Sequence, residues 1–160
     1  MGKSKDKTNV MRIFDSKGIN YDIHNYLATG AVSGEEVAAA LGENPDAVFK
    51  TLVTVAASKT NYVFLVPISH ELDLKKAARC VGEKKIEMIK SKELLPLTGY
   101  VHGGCSPVGM KKSFVTTIDK SAEGFETIIF SGGKIGYQVE LSLDELRKVI
   151  DFTLEDIVTN

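Results

Sequence analysis

The chain has 160 residues, of which 26% are charged, and a formal net charge of −1. This size fits one domain with its own core, and the balanced charge excludes a uniformly basic nucleic-acid binder. The charges are nevertheless segregated, because basic residues concentrate between Lys75 and Lys92 whereas acidic residues dominate after Glu140. The basic segment suits either a phosphate backbone or a solvated helix face.

Cysteine usage and hydropathy predict the cellular setting. Cys80 and Cys105 lie far apart and have no Cys or His at metal-ligand spacing, so we expect no metal, no disulfide and no cofactor. The sequence shows no signal peptide and no run near the roughly 20 apolar residues that span a bilayer. We therefore expect a soluble cytoplasmic protein with a polar N-terminal tail over residues 1–7 and one domain over 8–160.

The first 46 residues are predicted to form helices around one strand. Residues 8–18 and 33–42 have helical periodicity, and each begins with a hydroxyl N-cap and ends in glycine. Residues 20–26 alternate apolar and polar side chains, which indicates a half-buried strand. Asn44-Pro45-Asp46 predicts another short helical turn.

The remaining elements mix clustered strands with short helices. This order favours a single α+β domain with a mixed or antiparallel sheet over regular βαβ alternation. We predict strands over 52–56, 62–66, 86–88, 114–118, 127–130 and 136–141. We also predict helical segments over 73–81, over 91–95 (ended by Pro96), and from a Ser142–Glu145 capping box.

A glycine-rich run from Gly99 to Lys112 interrupts this pattern. It is typical of a hairpin turn with a bulge. Alternatively, the backbone N–H groups of Gly103, Gly104, Cys105 and Ser106 could converge on a carbonyl or phosphate oxygen.

Lys50 stands at the junction of a helical turn and an apolar strand. A lysine there either extends its ammonium group to water or binds an anion in a cleft. The turn from Ser131 to Lys134 resembles a fragment of a phosphate loop but lacks the spacing of a Walker motif. We expect a hairpin turn there, whose backbone is free to line a pocket.

No protein nucleophile is evident. Cys105 follows His102 by three residues, but a reactive thiol needs an oriented base and a lowered pKa, which sequence adjacency does not supply. The other histidines, His24 and His70, also lack a hydrolase pattern and are expected to be structural or exposed. Any hydrolysis would rest on backbone donors, a lysine and water.

Six segments, taken in order, resemble the YbaK-type Cys-tRNA(Pro) deacylases, whose superfamily includes the editing domain of some prolyl-tRNA synthetases. They extend across nearly the whole chain: residues 23–26 (IHNY), 49–52 (FKTL), 72–76 (LDLKK), 84–88 (KKIEM), 98–112 and 131–134 (SGGK). The resemblance implies a compact α+β fold with a mixed, barrel-like sheet flanked by helices. It also implies an enzyme that hydrolyses the ester of Cys-tRNA(Pro), and by extension Cys-tRNA(Cys). Such an enzyme is needed because the active site of prolyl-tRNA synthetase admits cysteine, which differs too little from proline in binding energy to be rejected by one pocket.

The resemblance also assigns residues. Lys50 corresponds to the family's key lysine, which would hold the terminal adenosine near the ester, and the substrate thiol itself is thought to attack the ester. The expected substrate-binding residues are Tyr26, Thr51, Gly103, Gly104, Ser131, Gly132 and Gln138.

Gln138 departs from the family pattern, which often has Asp at this position. The role of a carboxylate there therefore stays open. Residues 28–34 also match the family poorly, which leaves the pocket size and the amino-acid selectivity open. The alternatives are a deacylase for another mischarged tRNA such as Ala-tRNA(Pro), and a non-catalytic adaptor that binds tRNA or prolyl-tRNA synthetase. A generic nucleotide-binding domain is disfavoured because the phosphate-loop spacing is missing.

Overall fold

A computed structural model describes residues 7–160. Five α-helices are described in this range: α1 Asn9–Ser16, α2 Gly34–Leu41, α3 Leu74–Cys80, α4 Leu94–Thr98 and α5 Leu143–Arg147. The strands are β1 Asp22–Asn25, β2 Phe49–Ala56, β3 Asn61–Pro67, β4 Ile86–Met88, β5 Val115–Asp119, β6 Ile128–Ser131, β7 Tyr137–Leu141 and β8 Thr153–Glu155. Short 3₁₀ turns occupy Leu27–Thr29, Ser91–Glu93 and Lys120–Gly124.

The strands form two sheets. A five-stranded mixed sheet has the order β4-β2-β3-β5-β8, with β3, β5 and β8 parallel to one another, and a three-stranded antiparallel sheet has the order β1-β7-β6. A parallel bridge between Val48 and Ile129 joins them. The predicted α+β class with a mixed sheet is confirmed, with the strands divided between two sheets.

The main core lies between the two sheets and α1. Phe14 of α1 packs there with Val53 and Leu65 of the large sheet and with Phe130 and Val139 of the small one. Because side chains alternate along a strand, each sheet turns its other face outwards. Those outer faces carry two smaller clusters, one under α3 and one under α2.

Side-chain caps set the helix starts that the sequence predicts. Thr8 Oγ1 accepts a hydrogen bond from the N–H of Met11, and Ser33 and Glu36 form a complete capping box. Ser142 caps α5, but the Glu145 carboxylate accepts a hydrogen bond from Asn20 N–H, 125 residues away, instead of closing the predicted box. A long-range contact has replaced a local one.

Two local predictions are wrong. Pro96 does not end a helix, because it occupies the first turn of α4, where a missing N–H costs no hydrogen bond, and Gly99 ends the helix instead. Residues 99–112 are not a hairpin, since α4 precedes them and β5 follows only at Val115. The predicted turn at residues 44–46 is present as a single turn that does not continue into a helix: Asn44 Oδ1 accepts from Asp46 N–H, and Asn44 O accepts from Ala47 N–H at 2.9 Å.

The predicted half-buried strand is present as β1, but its buried and exposed faces are the reverse of those that the apolar pattern predicts. Ile23 is 47% exposed, whereas His24 is half-buried. The antiparallel pairing with β7 places His24 opposite Gln138 and fixes this orientation. Of the predicted tail over residues 1–7, all but Lys7 lies outside the described residues. None of the helices within residues 7–160 is long and apolar enough to cross a membrane.

Candidate functional site

The bridge between the two sheets assembles most of the predicted site residues. Val48 pairs with Ile129, and the N–H of Ile129 donates to Ala47 O at 2.9 Å. Two residues beyond the bridge, Lys50 and Ser131 continue on their respective strands. Two predicted site residues 81 positions apart in sequence therefore lie on neighbouring strands.

Along the outer face of the small sheet, Ser131 is joined by two further predicted site residues, Gln138 and Tyr26. Ile128 and Phe130 face the main core, so Ser131 faces outwards with its register partner Gln138. His24 is the register partner of Gln138 on the other side. Tyr26 lies two residues beyond His24, is 8% exposed, and donates its backbone N–H to Gly136 O at 2.9 Å.

Lys50 lies on the face of the large sheet that α3 covers. Its register partner Val66 packs in the cluster under α3, and Lys50 Nζ lies 3.5 Å from Glu71 Oε1. The Lys50 side chain is 31% exposed and that of Glu71 is 81% exposed. The ammonium group is thus held at the surface by a long, solvated ion pair, which an anionic ligand can displace.

Thr51 points to the opposite face of the same strand. Its register partner Leu65 belongs to the main core, and its Oγ1 is buried without a hydrogen-bond partner in the described part of the chain. Lys50 and Thr51, which the sequence predicts as one group, therefore project to different sides of β2.

The two glycine-rich turns pack against each other. A Cβ atom on Gly104 would lie 3.1 Å from Ile135 N, and one on Gly103 would lie 3.7 Å from Ile135 Cγ1. Gly133, with φ +95°, lies against Tyr100, where a Cβ would come 3.4 Å from the ring. Glycine is required here because the two backbones approach so closely.

Several turn amides are already occupied. Gly104 N–H donates to Val101 O at 3.0 Å, Gly132 N–H donates to Tyr137 O at 2.9 Å, and Gly133 N–H donates to Ser131 Oγ at 3.1 Å. The expected convergence of free amides on a ligand oxygen therefore does not include Gly104. These hydrogen bonds hold the shape of the turns.

A buried carboxylate beside Gln138 was not predicted from the sequence. Gln138 Nε2 donates to Glu43 Oε1 at 3.2 Å, while Glu43 Oε2 and Gln138 Oε1 are buried without partners among residues 7–160. Burial raises the pKa of Glu43, against the hydrogen bond from Gln138 and the charge of His24, which lower it. The sequence signal is that Glu43 follows the terminal glycine of α2, where an apolar contact usually closes the helix end.

A second polar group lies next to this pair. His24 Nε2 is 2.7 Å from Glu140 Oε1, and Thr127 Oγ1 donates to the other carboxylate oxygen. Although burial opposes the effect, these hydrogen bonds hold the pKa of Glu140 below its usual range. His24 is thus engaged by a carboxylate on the neighbouring strand β7.

Cys105 belongs to the main core. The residue is 9% exposed, and burial raises the pKa of its thiol to about 12. Burial therefore disfavours the thiolate form that a nucleophilic cysteine needs. Among residues 7–160, no group of three or more His, Cys, Asp or Glu side chains is placed to hold a metal ion.

Comparison with known proteins identifies the family. The family model of the aminoacyl-tRNA editing domain matches residues 29–149. The chain is 39% identical, over 98% of its own length and 96% of the relative's, to a protein of Enterococcus faecalis (strain ATCC 700802 / V583) named "Putative Cys-tRNA(Pro)/Cys-tRNA(Cys) deacylase EbsC".

Two further similarities agree. A crystal structure described as that of "a putative trans-editing enzyme for prolyl tRNA synthetase" superposes with a TM-score of 0.82 and 25% identity, and covers 96% of this chain and 99% of that one. A proline–tRNA ligase of Pelobacter propionicus (strain DSM 2379 / NBRC 103807 / OttBd1) is 28% identical over 62% of this chain but only 17% of the ligase. The resemblance inferred from the sequence is confirmed: the chain belongs to the aminoacyl-tRNA editing domain family.

Proposed function

We propose that this chain hydrolyses the ester that joins cysteine to the 3′ end of mischarged tRNA(Pro), acting in trans as a separate cytoplasmic protein. The observation that carries the proposal is the 39% identity to EbsC, which extends over nearly the full length of both chains. The name of that relative includes Cys-tRNA(Cys), which makes this tRNA the second substrate to test.

Lys50 is the proposed catalytic residue. Its ammonium group is loosely paired with an exposed carboxylate, at the place where β2 approaches Ser131. A cation with this freedom can bind the phosphate or ribose of the terminal adenosine and place the ester beside the turns. Tyr26, Ser131 and Gln138 share the adjacent face and are proposed to line the aminoacyl pocket.

The proposed chemistry uses the substrate's own thiol. The sulfur attacks the ester carbonyl, an S–C bond forms, the C–O bond to the ribose breaks, and the thiol proton ends on the ribose oxygen. The product is a four-membered thiolactone, which water opens to free cysteine. The protein supplies position and charge, in agreement with the burial of Cys105 and its raised pKa.

The structure weakens the main argument for a non-catalytic adaptor. That argument rested on Gln138, which stands where the family often has Asp. Glu43 lies within hydrogen-bond distance of Gln138, so the Gln138 side chain has a carboxyl group beside it that comes from another part of the chain. Prolyl-tRNA synthetase stays a proposed partner that could deliver the tRNA.

The test is hydrolysis of tRNA(Pro) charged with Cys, Ala, Ser or Pro, together with Cys-tRNA(Cys), by the purified protein. We expect rapid loss of Cys and little loss of Pro. Release of Ser as fast as Cys would contradict attack by the thiol, because the two substrates differ in that atom. Preferential release of Ala would identify the other deacylase, and release of no amino acid would favour the adaptor.

A further inference from the structure

A basic groove lies between α3 and the segment that leads into β4. Its volume is about 660 Å³. Its polar lining consists of four cations and two carboxylates: Lys75, Arg79, Lys84, Lys85, Glu83 and Glu87. The groove is positive on a chain whose formal net charge is −1, so it concentrates positive potential at one place.

The two carboxylates are engaged within the protein. Glu83 Oε2 accepts hydrogen bonds from Tyr62 and Ser58, both at 2.7 Å, and these bonds lower its pKa. Glu87 lies 3.3 Å from Lys85 Nζ. The carboxylates are therefore tied to neighbouring side chains of the protein.

The cations are more available. Arg79 and Lys84 are exposed and form no ion pair with any residue between 7 and 160. Lys75 lies near the N-cap carboxylate of Asp73, which also accepts the backbone N–H of Lys75. Lys75 and Arg79 are four residues apart on α3, and so about 6 Å apart on one side of the helix.

The groove extends away from Lys50 along the same face of the large sheet. The helix α3 covers the face to which Lys50 points, and Glu71, just before α3, contacts Lys50. At the far end of β2, Ala56 pairs with Ile86, and the N–H of Ala57 donates to Lys85 O at 3.0 Å. Lys50 and Ala56 are six residues apart on one strand, so the far end lies about 20 Å from Lys50.

We propose that this groove binds the sugar-phosphate backbone of the tRNA about six nucleotides from its aminoacylated end. The position follows from the 20 Å separation if the nucleotides are stacked about 3.4 Å apart, as in a duplex. The proposal rests on the proposed function, because it takes Lys50 as the position of the terminal adenosine.

The lining selects backbone over bases. None of the nine described lining residues is aromatic, and the apolar ones are Leu74, Ala78 and Ile86, so the groove offers no ring on which a base can stack. Exposed lysine and arginine side chains contact phosphates independently of sequence. The groove therefore contributes affinity, while the choice of amino acid belongs to the pocket at Lys50.

The experiment compares two substrates that share the ester but differ in reach. Arg79→Glu/Lys84→Glu is assayed on Cys-tRNA(Pro) and on cysteine esterified to adenosine alone, which cannot extend to the groove. The control is Lys17→Glu/Lys120→Glu, which makes the same charge change at exposed positions on other elements. We expect kcat/KM on the tRNA to fall about 10-fold at low salt, with a shallower salt dependence, and kcat/KM on the adenosine ester to be unchanged.

Three results would overturn the groove as an RNA site. They are an equal fall on both substrates, an equal fall in the control variant, and no fall at all. A fall seen only when prolyl-tRNA synthetase is present would assign the groove to that protein instead. If the wild-type protein hydrolyses neither substrate, the proposed function fails, and anisotropy of labelled uncharged tRNA with the same variants still decides whether the groove binds RNA.

Discussion

Lys50 and Cys105 are the two side chains with the most obvious chemical capability, and they lie in opposite environments. Lys50 is 31% exposed and loosely paired, so its charge can act on a ligand. Cys105 is 9% exposed in the main core, and its thiol has a pKa of about 12. The contrast indicates that this fold supplies charge and position, while a nucleophile has to come from the substrate or from water.

The largest effect is expected from Lys50→Ala. Removing the cation should lower kcat/KM for Cys-tRNA(Pro) about 100-fold or more, as for other positioned electrostatic groups. The matched variant Glu71→Gln removes only the exposed partner carboxylate and should leave the rate unchanged or slightly higher. Undiminished hydrolysis by Lys50→Ala would remove the basis for the site, and a large fall in Glu71→Gln would show that the pair acts as a unit.

The second variant, Glu43→Gln, concerns the buried side of the site. The pKa of Glu43 is raised by burial, so the folded state favours the neutral form, and wild-type stability from this group is lost as pH rises from about 4.5 through the folded pKa. The neutral amide introduced by Glu43→Gln should remove this loss of stability. It can also both accept a hydrogen bond from Gln138 and donate one to it. We expect Glu43→Gln to gain about 1 kcal/mol over wild type at pH 7 and little at pH 4.

Urea unfolding across this pH range measures the difference. The groups that face Glu43 are Gln138, His24 and Glu140, and they are the same in both proteins, so their own titration largely cancels in the comparison. The exposed variant Glu126→Gln controls for loss of a carboxylate and should show no such pH dependence. A stability difference that is constant with pH would mean that the fold does not raise the pKa of Glu43.

The contact between Glu43 and Gln138 also shows which features the sequence does not predict. Caps such as Thr8 and the Ser33–Glu36 box were predictable, because their partners lie three residues away. The contact between Glu43 and Gln138 joins residues 95 positions apart and depends on how a helix end meets a sheet. No local sequence pattern indicates a contact between residues so far apart in the chain.

The site itself was only partly predictable. Lys50 and the two glycine turns stand out as odd residues in their segments, and the resemblance adds Tyr26 and Gln138. Alternation along β2 turns Lys50 and Thr51 to opposite faces, but the sequence does not indicate which of the two faces the main core. Pro96 failed as a helix end for a similar reason: the preceding 3₁₀ turn allows α4 to begin just before it.

A smaller effect is expected from Thr51→Val, which tests whether this residue serves binding or only packing. Its buried Oγ1 has no partner in the described chain, so a methyl group of the same shape should stabilise the fold by about 1 kcal/mol. Thr54→Val is the matched control, because Thr54 Oγ1 donates to Tyr62 O at 2.8 Å, and its loss should destabilise by about the same amount. If Thr51→Val instead weakens substrate binding, the hydroxyl serves the ligand.

The smallest effect on activity is expected from Cys105→Ala, which removes the buried member of the comparison between Lys50 and Cys105. Burial raises the pKa of the Cys105 thiol to about 12, which disfavours the thiolate that a nucleophilic cysteine needs. We expect the kcat of Cys105→Ala to stay within about twofold of wild type. In a separate variant, Cys80→Ala, the remaining thiol is that of Cys105, and we expect it to resist alkylation until the protein is unfolded. A tenfold loss of kcat with unchanged unfolding would make Cys105 the nucleophile, and the contrast with Lys50 would no longer hold.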